Sequence, residues 1–185
     1  MPCEQSRPPV VLVLGGVRSG KSRYAQQLAA RANRVAVIAT AEGRDEDMQQ
    51  RIAHHRKERP ASWTTIEAPI DLPAALAGLD GTFDTVLVDC LTLWASNLLE
   101  REQGNLERVF QHTESLADSL RRCSASVILV SNEVGSGIVP DSELGRMYRD
   151  VLGVINQRIA AVADEVVLLV AGCPLSVKRT TETIV

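Results

Sequence analysis

The chain has 185 residues, 45% of them hydrophobic, a formal net charge of −3 and a pI near 5.7. That length suits one domain with a sizeable buried core, and the charge balance gives no basic footprint for DNA or RNA. The apolar runs are strand-sized, so no membrane span is expected, and the polar, proline-rich start Met1 to Pro9 lacks the apolar stretch of a signal peptide. The expectation is a cytoplasmic protein with a flexible tail over residues 1–9 and a single domain over 10–185. Cys3, Cys90, Cys123 and Cys173 are widely spaced with no C-x-x-C pair, so they are expected to be buried, reduced thiols.

In chain order, the first element is the apolar run Val10–Leu14, followed at once by Gly15-Gly16-Val17-Arg18-Ser19-Gly20-Lys21-Ser22. This fits G-x-x-x-x-G-K-[ST], in which glycines let backbone N–H groups surround phosphate oxygens, Lys21 reaches the β- and γ-phosphates, and the Ser22 hydroxyl holds Mg²⁺. A helical stretch from Arg23 to Ala30 adds its positive end. Further short β-branched runs follow at Val35–Ala39, Thr85–Asp89, Val127–Val130 and Val166–Val170, alternating with helical segments. Because these runs are apolar at nearly every position, both faces of a parallel sheet should be covered, which predicts a three-layer α/β fold. Asp141 is placed to cap a long helix whose Leu144, Tyr148, Val151, Ile155, Ile159 and Val162 form one buried stripe.

Ligands of such sheets sit beyond the carboxyl ends of the strands. Four of those ends are polar: the phosphate loop, Thr40-Ala41-Glu42, Asp89, and Ser131-Asn132-Glu133. Asp89 ends Val86-Leu87-Val88-Asp89, the shape of a Walker B strand whose carboxylate holds Mg²⁺, although a strand-end Asp is also a common helix cap. Asn132 and Glu133 suit either substrate contact or loop capping.

The segment Asp45 to Pro60 has acidic residues at its start and cations at its end, as a helix does. At about 100° per residue, Met48, Ile52 and His55 share one face, while His54 points about 120° away from Met48. An off-core imidazole beside cations can attack a nucleotide phosphorus and form a phosphoramidate; both histidines can equally be ordinary surface or packing residues.

Several motifs together change that balance: G-G-x-R-S-G-K-S from Gly15, Ile38-Ala39-Thr40, Arg51-Ile52-x-His54-His55 followed by Arg59-Pro60 and Trp63, and Asp89-Cys90-Leu91-Thr92. Beyond them come Ser131-Asn132-Glu133-Val134-Gly135, Gly137-Ile138-Val139-Pro140 and Asn156-Gln157-Arg158. From about residue 10 to 178 the chain resembles the bifunctional adenosylcobinamide kinase / adenosylcobinamide-phosphate guanylyltransferase family of cobalamin biosynthesis. The resemblance implies a homotrimer of RecA-like P-loop NTPase subunits with a mostly parallel sheet. It implies that adenosylcobinamide is phosphorylated, and that GMP from GTP is then joined to that phosphate with release of pyrophosphate.

Carried onto this sequence, the family's covalent GMP-histidine falls on His54, with Lys21 as the other catalytic residue. Nucleotide contacts fall on Gly15, Gly16, Val17, Arg18, Ser19, Gly20, Lys21 and Ser22, on Ala39, Thr40 and Ala41, on His55, Arg56, Lys57 and Glu58, and on Glu67 and Asp89. Mg²⁺ is expected on Ser22 and Asp89, with GTP and ATP as substrates. One loop cannot present the α- and γ-phosphorus alike, so the helix bearing His54 is expected to move, or the nucleotide to bind in two registers. Asn132, Glu133 and Tyr148 are candidate corrinoid contacts. Two other readings use the same loop. A regulatory GTPase switch needs a guanine-reading N-K-x-D stretch, which the chain lacks; a small-metabolite kinase without nucleotidyl transfer has no use for His54.

Overall fold

A computed structural model describes residues 7–79 and 81–179, excluding the side chains of Asp47, Arg51 and Glu58. The first six residues of the expected tail, and Cys3 with them, lie outside the described residues. Arg7 donates to Val162 O (3.1 Å) and pairs with Asp164 (2.9 Å), and Pro9 O accepts from Val127 N at 3.1 Å.

In chain order the elements are β1 (Val10–Gly15), α1 (Lys21–Ala29), β2 (Val35–Ala39), α2 (Glu46–Glu58), β3 (Thr64–Glu67), α3 (Leu72–Ala77) and β4 (Thr85–Asp89). They continue with α4 (Leu91–Arg101), α5 (Leu106–Arg122), β5 (Ser126–Asn132), α6 (Glu143–Val162), β6 (Glu165–Val170) and β7 (Cys173–Arg179). The strands form one sheet in the order β3-β2-β4-β5-β1-β6-β7, parallel except for β7, which runs antiparallel to β6.

Alternation along each inner strand feeds two cores. Leu12, Ile38, Val86, Val88, Val127 and Leu129 point to one side, where they meet Leu72, Trp94, Leu98, Leu116, Leu152 and Ile155 of α3 to α6. Val13, Val37, Leu87, Ile128 and Val130 point to the other, against Ala25 and Ala29 of α1. The expected three layers are therefore present, with the strands buried on both faces. Trp94 is fully buried and its indole N–H donates to Ile70 O at 2.7 Å. Trp94→Ala should cost about 3–5 kcal/mol, because it opens a cavity and strands that carbonyl; urea unfolding followed by circular dichroism measures this.

Four local expectations are corrected. Two edge strands, β3 and β7, had no apolar run to announce them: β3 is exposed at every position but Ile66, and β7 is exposed at nearly every position. The long helix is capped by Ser142, whose hydroxyl accepts from Gly145 N at 3.1 Å, rather than by Asp141. Its stripe buries Val151, Ile155 and Ile159, but Leu144 is 68% exposed because the helix begins beyond the body of the domain. The expectation of buried thiols fails at Cys173, exposed on the edge strand β7; Cys90 and Cys123 are half-buried residues, and burial pushes the Cys90 thiol up.

Candidate functional site

The loop between β1 and α1 is shaped by two left-handed residues, Arg18 (φ 56°) and Gly20 (φ 93°). A side chain at Gly20 would be strained, and its Cβ would meet Gly172 Cα at 3.3 Å. At Gly15 a Cβ would come within 2.9 Å of Leu169 O. The β6–β7 turn presses on the loop from outside, with Gly172 N donating to Ser19 O at 2.9 Å, while Lys21 Nζ donates to Gly16 O at 3.1 Å. Gly20 caps α1 without a side chain, so the first N–H groups of the helix face the loop as an anion site does.

Beyond these strand ends lies a cavity of about 370 Å³. Val17, Lys21 and Ser22 of the loop line it, with Ala39 at the end of β2 and Ala41 after it, Glu67 of β3, Asp89 at the end of β4 and Thr92 after it, and Asn132 of β5. Its roof is α2, through Met48, Ile52, His55, Arg56 and Arg59. Asp45 caps α2 by accepting from Met48 N at 2.7 Å. None of the described α2 residues is buried, so the helix is held mainly by polar ties. Gln49 donates to Gly43 O at 3.1 Å, Arg56 pairs with Glu67, and Arg59 pairs with Asp89 at 3.0 Å.

The helical phase read from the sequence is the one the structure has: His55 is half-buried over the cavity beside Met48 and Ile52, and His54 is exposed, with the two rings edge to face at 6.3 Å. Of the expected nucleotide contacts, Val17, Lys21, Ser22, Ala39, Ala41, His55, Arg56, Glu67 and Asp89 share this cavity. Gly15, Gly16, Arg18, Ser19 and Gly20 build the loop behind it. Thr40 is fully buried; its hydroxyl donates to Cys90 O (2.7 Å) and accepts from Cys90 N (2.8 Å), so its side chain braces β2 against β4. Lys57 is exposed, and the Glu58 side chain lies outside the described residues.

The alternatives at the end of β5 separate. Glu133 Oε1 accepts from Gly135 N at 2.7 Å and so caps its own turn, whereas Asn132 faces the cavity. Asn132 is held by its backbone: its N–H donates to Thr92 Oγ1 at 2.9 Å and its carbonyl accepts from Asn156 at 3.0 Å. Tyr148 stands behind it, donating to Thr92 O at 3.2 Å, and burial pushes its hydroxyl pKa up to about 12, so it stays neutral.

Two residues of the site escaped the sequence reading. Arg59 passed as a last-turn cation; Asn97 of α4 is buried and donates to Thr40 O (2.8 Å) and Pro69 O (3.0 Å), tying the loops after β2 and β3 together. Hydrogen-bonding side chains on a helix next to a strand-end loop are the only signal that could have marked Asn97. Among the described residues no cluster of three or more His, Cys, Asp or Glu side chains could hold a metal. Ser22 and Asp89 are hard oxygen donors on one cavity wall, which fits a Mg²⁺ completed by nucleotide phosphates and water. No helix among the described residues is long and apolar enough to cross a membrane.

Both the fold and the sequence resemble those of known proteins. A solved ATPase from the type III secretion system of pathogenic bacteria superposes with a TM-score of 0.54 at 12% identity, over 86% of this chain and 50% of that one. This chain thus spans about half of that structure, and the likeness concerns the fold alone. The "Bifunctional adenosylcobalamin biosynthesis protein CobP" of Pseudomonas aeruginosa is 45% identical over 168 residues, covering 90% of this chain and 96% of the relative. The "Bifunctional adenosylcobalamin biosynthesis protein CobU" of Salmonella typhimurium is 41% identical over 180 residues, covering 91% and 99%. A family model described as "Cobinamide kinase / cobinamide phosphate guanyltransferase" matches residues 11–177, and the chain belongs to that family.

Proposed function

We propose that the protein phosphorylates adenosylcobinamide and then transfers GMP from GTP onto the resulting phosphate through a His54–GMP intermediate, giving adenosylcobinamide-GDP. The observation that carries this reading is that the helix bearing His54 roofs the same cavity whose floor is the phosphate loop. In the kinase step the substrate hydroxyl attacks the γ-phosphorus, its bond to the β-phosphate oxygen breaks, and the nucleoside diphosphate leaves. Lys21 and the loop amides hold the charge that develops on the transferring group. A Mg²⁺ on Ser22 and Asp89 would neutralise phosphate charge.

In the second step an imidazole nitrogen of His54 attacks the α-phosphorus and pyrophosphate leaves. The substrate phosphate then displaces the histidine, which returns as free imidazole. His54 is exposed and absent from the cavity wall, so the step needs α2 to turn or slide, as its few attachments allow. The same reading includes ATP as a phosphoryl donor, a cytoplasmic setting and a homotrimer. Support for subunit contact comes from Ile138 (97% exposed), Val139 and Leu144, apolar side chains left open after β5 and at the start of α6.

The test is incubation with GTP labelled at the α- or the γ-phosphate. Acid-labile, base-stable label retained on the protein from α-labelled GTP alone is the expected result. Absence of that adduct would reduce the reading to a kinase without nucleotidyl transfer.

A further inference from the structure

We propose that Arg59 is a ligand of the nucleotide's phosphates, held in reserve by Asp89 and released when Asp89 engages a divalent cation. The proposal rests on the reading of Ser22 and Asp89 as the cation's seat.

Arg59 follows the last residue of α2 as its C-cap, and its side chain is only 6% exposed, with Asp89 at 15%. Among the described residues the guanidinium makes a single hydrogen bond, Nη2 to Asp89 Oδ2 at 3.0 Å, and its Nε is buried without a partner. A guanidinium carries five donors, and burying one costs several kcal/mol unless its hydrogen bonds are filled. The surface pair Arg34–Asp84 shows what a settled pair looks like in this chain. There Nε (3.1 Å) and Nη2 (2.6 Å) both donate to Asp84, which also accepts from the Arg34 backbone N–H at 3.0 Å. Arg59 is less satisfied although far more buried.

Arg59 lines the cavity with Lys21 and Ser22 at the N-terminal end of α1, a setting that attracts anions. A phosphate presents the oxygen pairs that a planar fork binds best. The Asp89 carboxylate cannot serve a divalent cation and Arg59 at full strength together, since the two positive groups repel. Once the cation is seated, Arg59 loses the one hydrogen-bond partner it has among the described residues; the cavity's other carboxylate, Glu67, is already paired with Arg56, which leaves the phosphates as the anions for Arg59. Because Arg59 ends α2, the exchange shifts the helix that carries His54, and it places positive charge where pyrophosphate leaves. Arg59 is thus both a phosphate ligand and a positioning residue for His54.

The experiment measures binding of inorganic pyrophosphate in EDTA to the wild type, Asp89→Asn and Asp89→Asn/Arg59→Met, together with amide hydrogen exchange over residues 46–58. Asp89→Asn should free Arg59 without a metal, tightening pyrophosphate about tenfold, and the double variant should lose that gain. Arg59→Met alone should weaken Mg·GTP about tenfold and speed exchange of α2 in the ligand-free protein. An Asp89→Asn variant that binds no tighter overturns the proposal. So does a double variant that keeps the gain, which would trace it to lost negative charge alone. Arg59→Gln replaces Arg59→Met with the same expectations if the latter does not fold. A wild type that takes no α-label would sink the transferase reading but leave the pyrophosphate result standing; adduct formation with unchanged pyrophosphate binding defeats this inference alone.

Discussion

His54→Asn should abolish the α-labelled adduct, by at least about 10⁴-fold, while transfer of the γ-phosphoryl group stays within about threefold of wild type. The separation follows from where the side chain sits. His54 is exposed on α2 and is not part of the cavity wall, so nothing in the ground-state cavity is lost when it is replaced. Asn keeps a polar side chain of similar reach but offers no nucleophilic nitrogen lone pair. Alkaline quenching, with protein-bound label counted from α-labelled nucleotide and corrinoid-bound label from γ-labelled nucleotide, gives both rates in one preparation. Should the adduct survive, His55 becomes the candidate nucleophile, since it already lines the cavity. A matching collapse of both rates would instead place His54 in the cavity during phosphoryl transfer.

Lys21→Met should lower both reactions, each by about 10²–10³-fold in kcat/KM. Lys21 is half-buried at the start of α1, with its ammonium on Gly16 O, and it belongs to the floor that either step must use. Methionine keeps the stem and removes the charge, so the folded protein should lose no more than about 0.5 kcal/mol. Initial rates for the two labels, alongside a urea melt, separate the effects. If the histidine adduct formed at the wild-type rate in this variant, the two reactions would not share the phosphate loop, and the nucleotide for the second would bind elsewhere.

The parts legible in the sequence are those where burial dictates composition. Val10 to Leu14 and Val86 to Val88 read as strands because both of their faces are covered, and the loop reads as a phosphate cradle because its glycines have backbone tasks no other residue performs well. Thr64–Glu67 gave no such sign, since an edge strand mostly in water keeps its ladder hydrogen bonds whatever its side chains are. Asp141 and Ser142 are both good caps, and only the start of the helical turn, with Ser142 three residues before Gly145 N–H, decides between them. The phase of His54 and His55 was readable because a helix fixes angles locally. Arg59 was not, because its partner lies 30 residues onward in the chain and becomes a neighbour only when β4 closes beside β2.

The β6–β7 turn gives the site a division of labour. Gly172 clamps the phosphate loop through a backbone bond to Ser19 O, so the loop is ordered when the outer hairpin folds, long before a nucleotide is met. Little conformational freedom then remains to be lost there on binding. Across the cavity, none of the described residues of α2 is fully buried, and the helix hangs on a few polar ties. One wall acts as an anvil and the other as an arm, which lets a single cradle hold the triphosphate still while the choice of phosphorus is made from above.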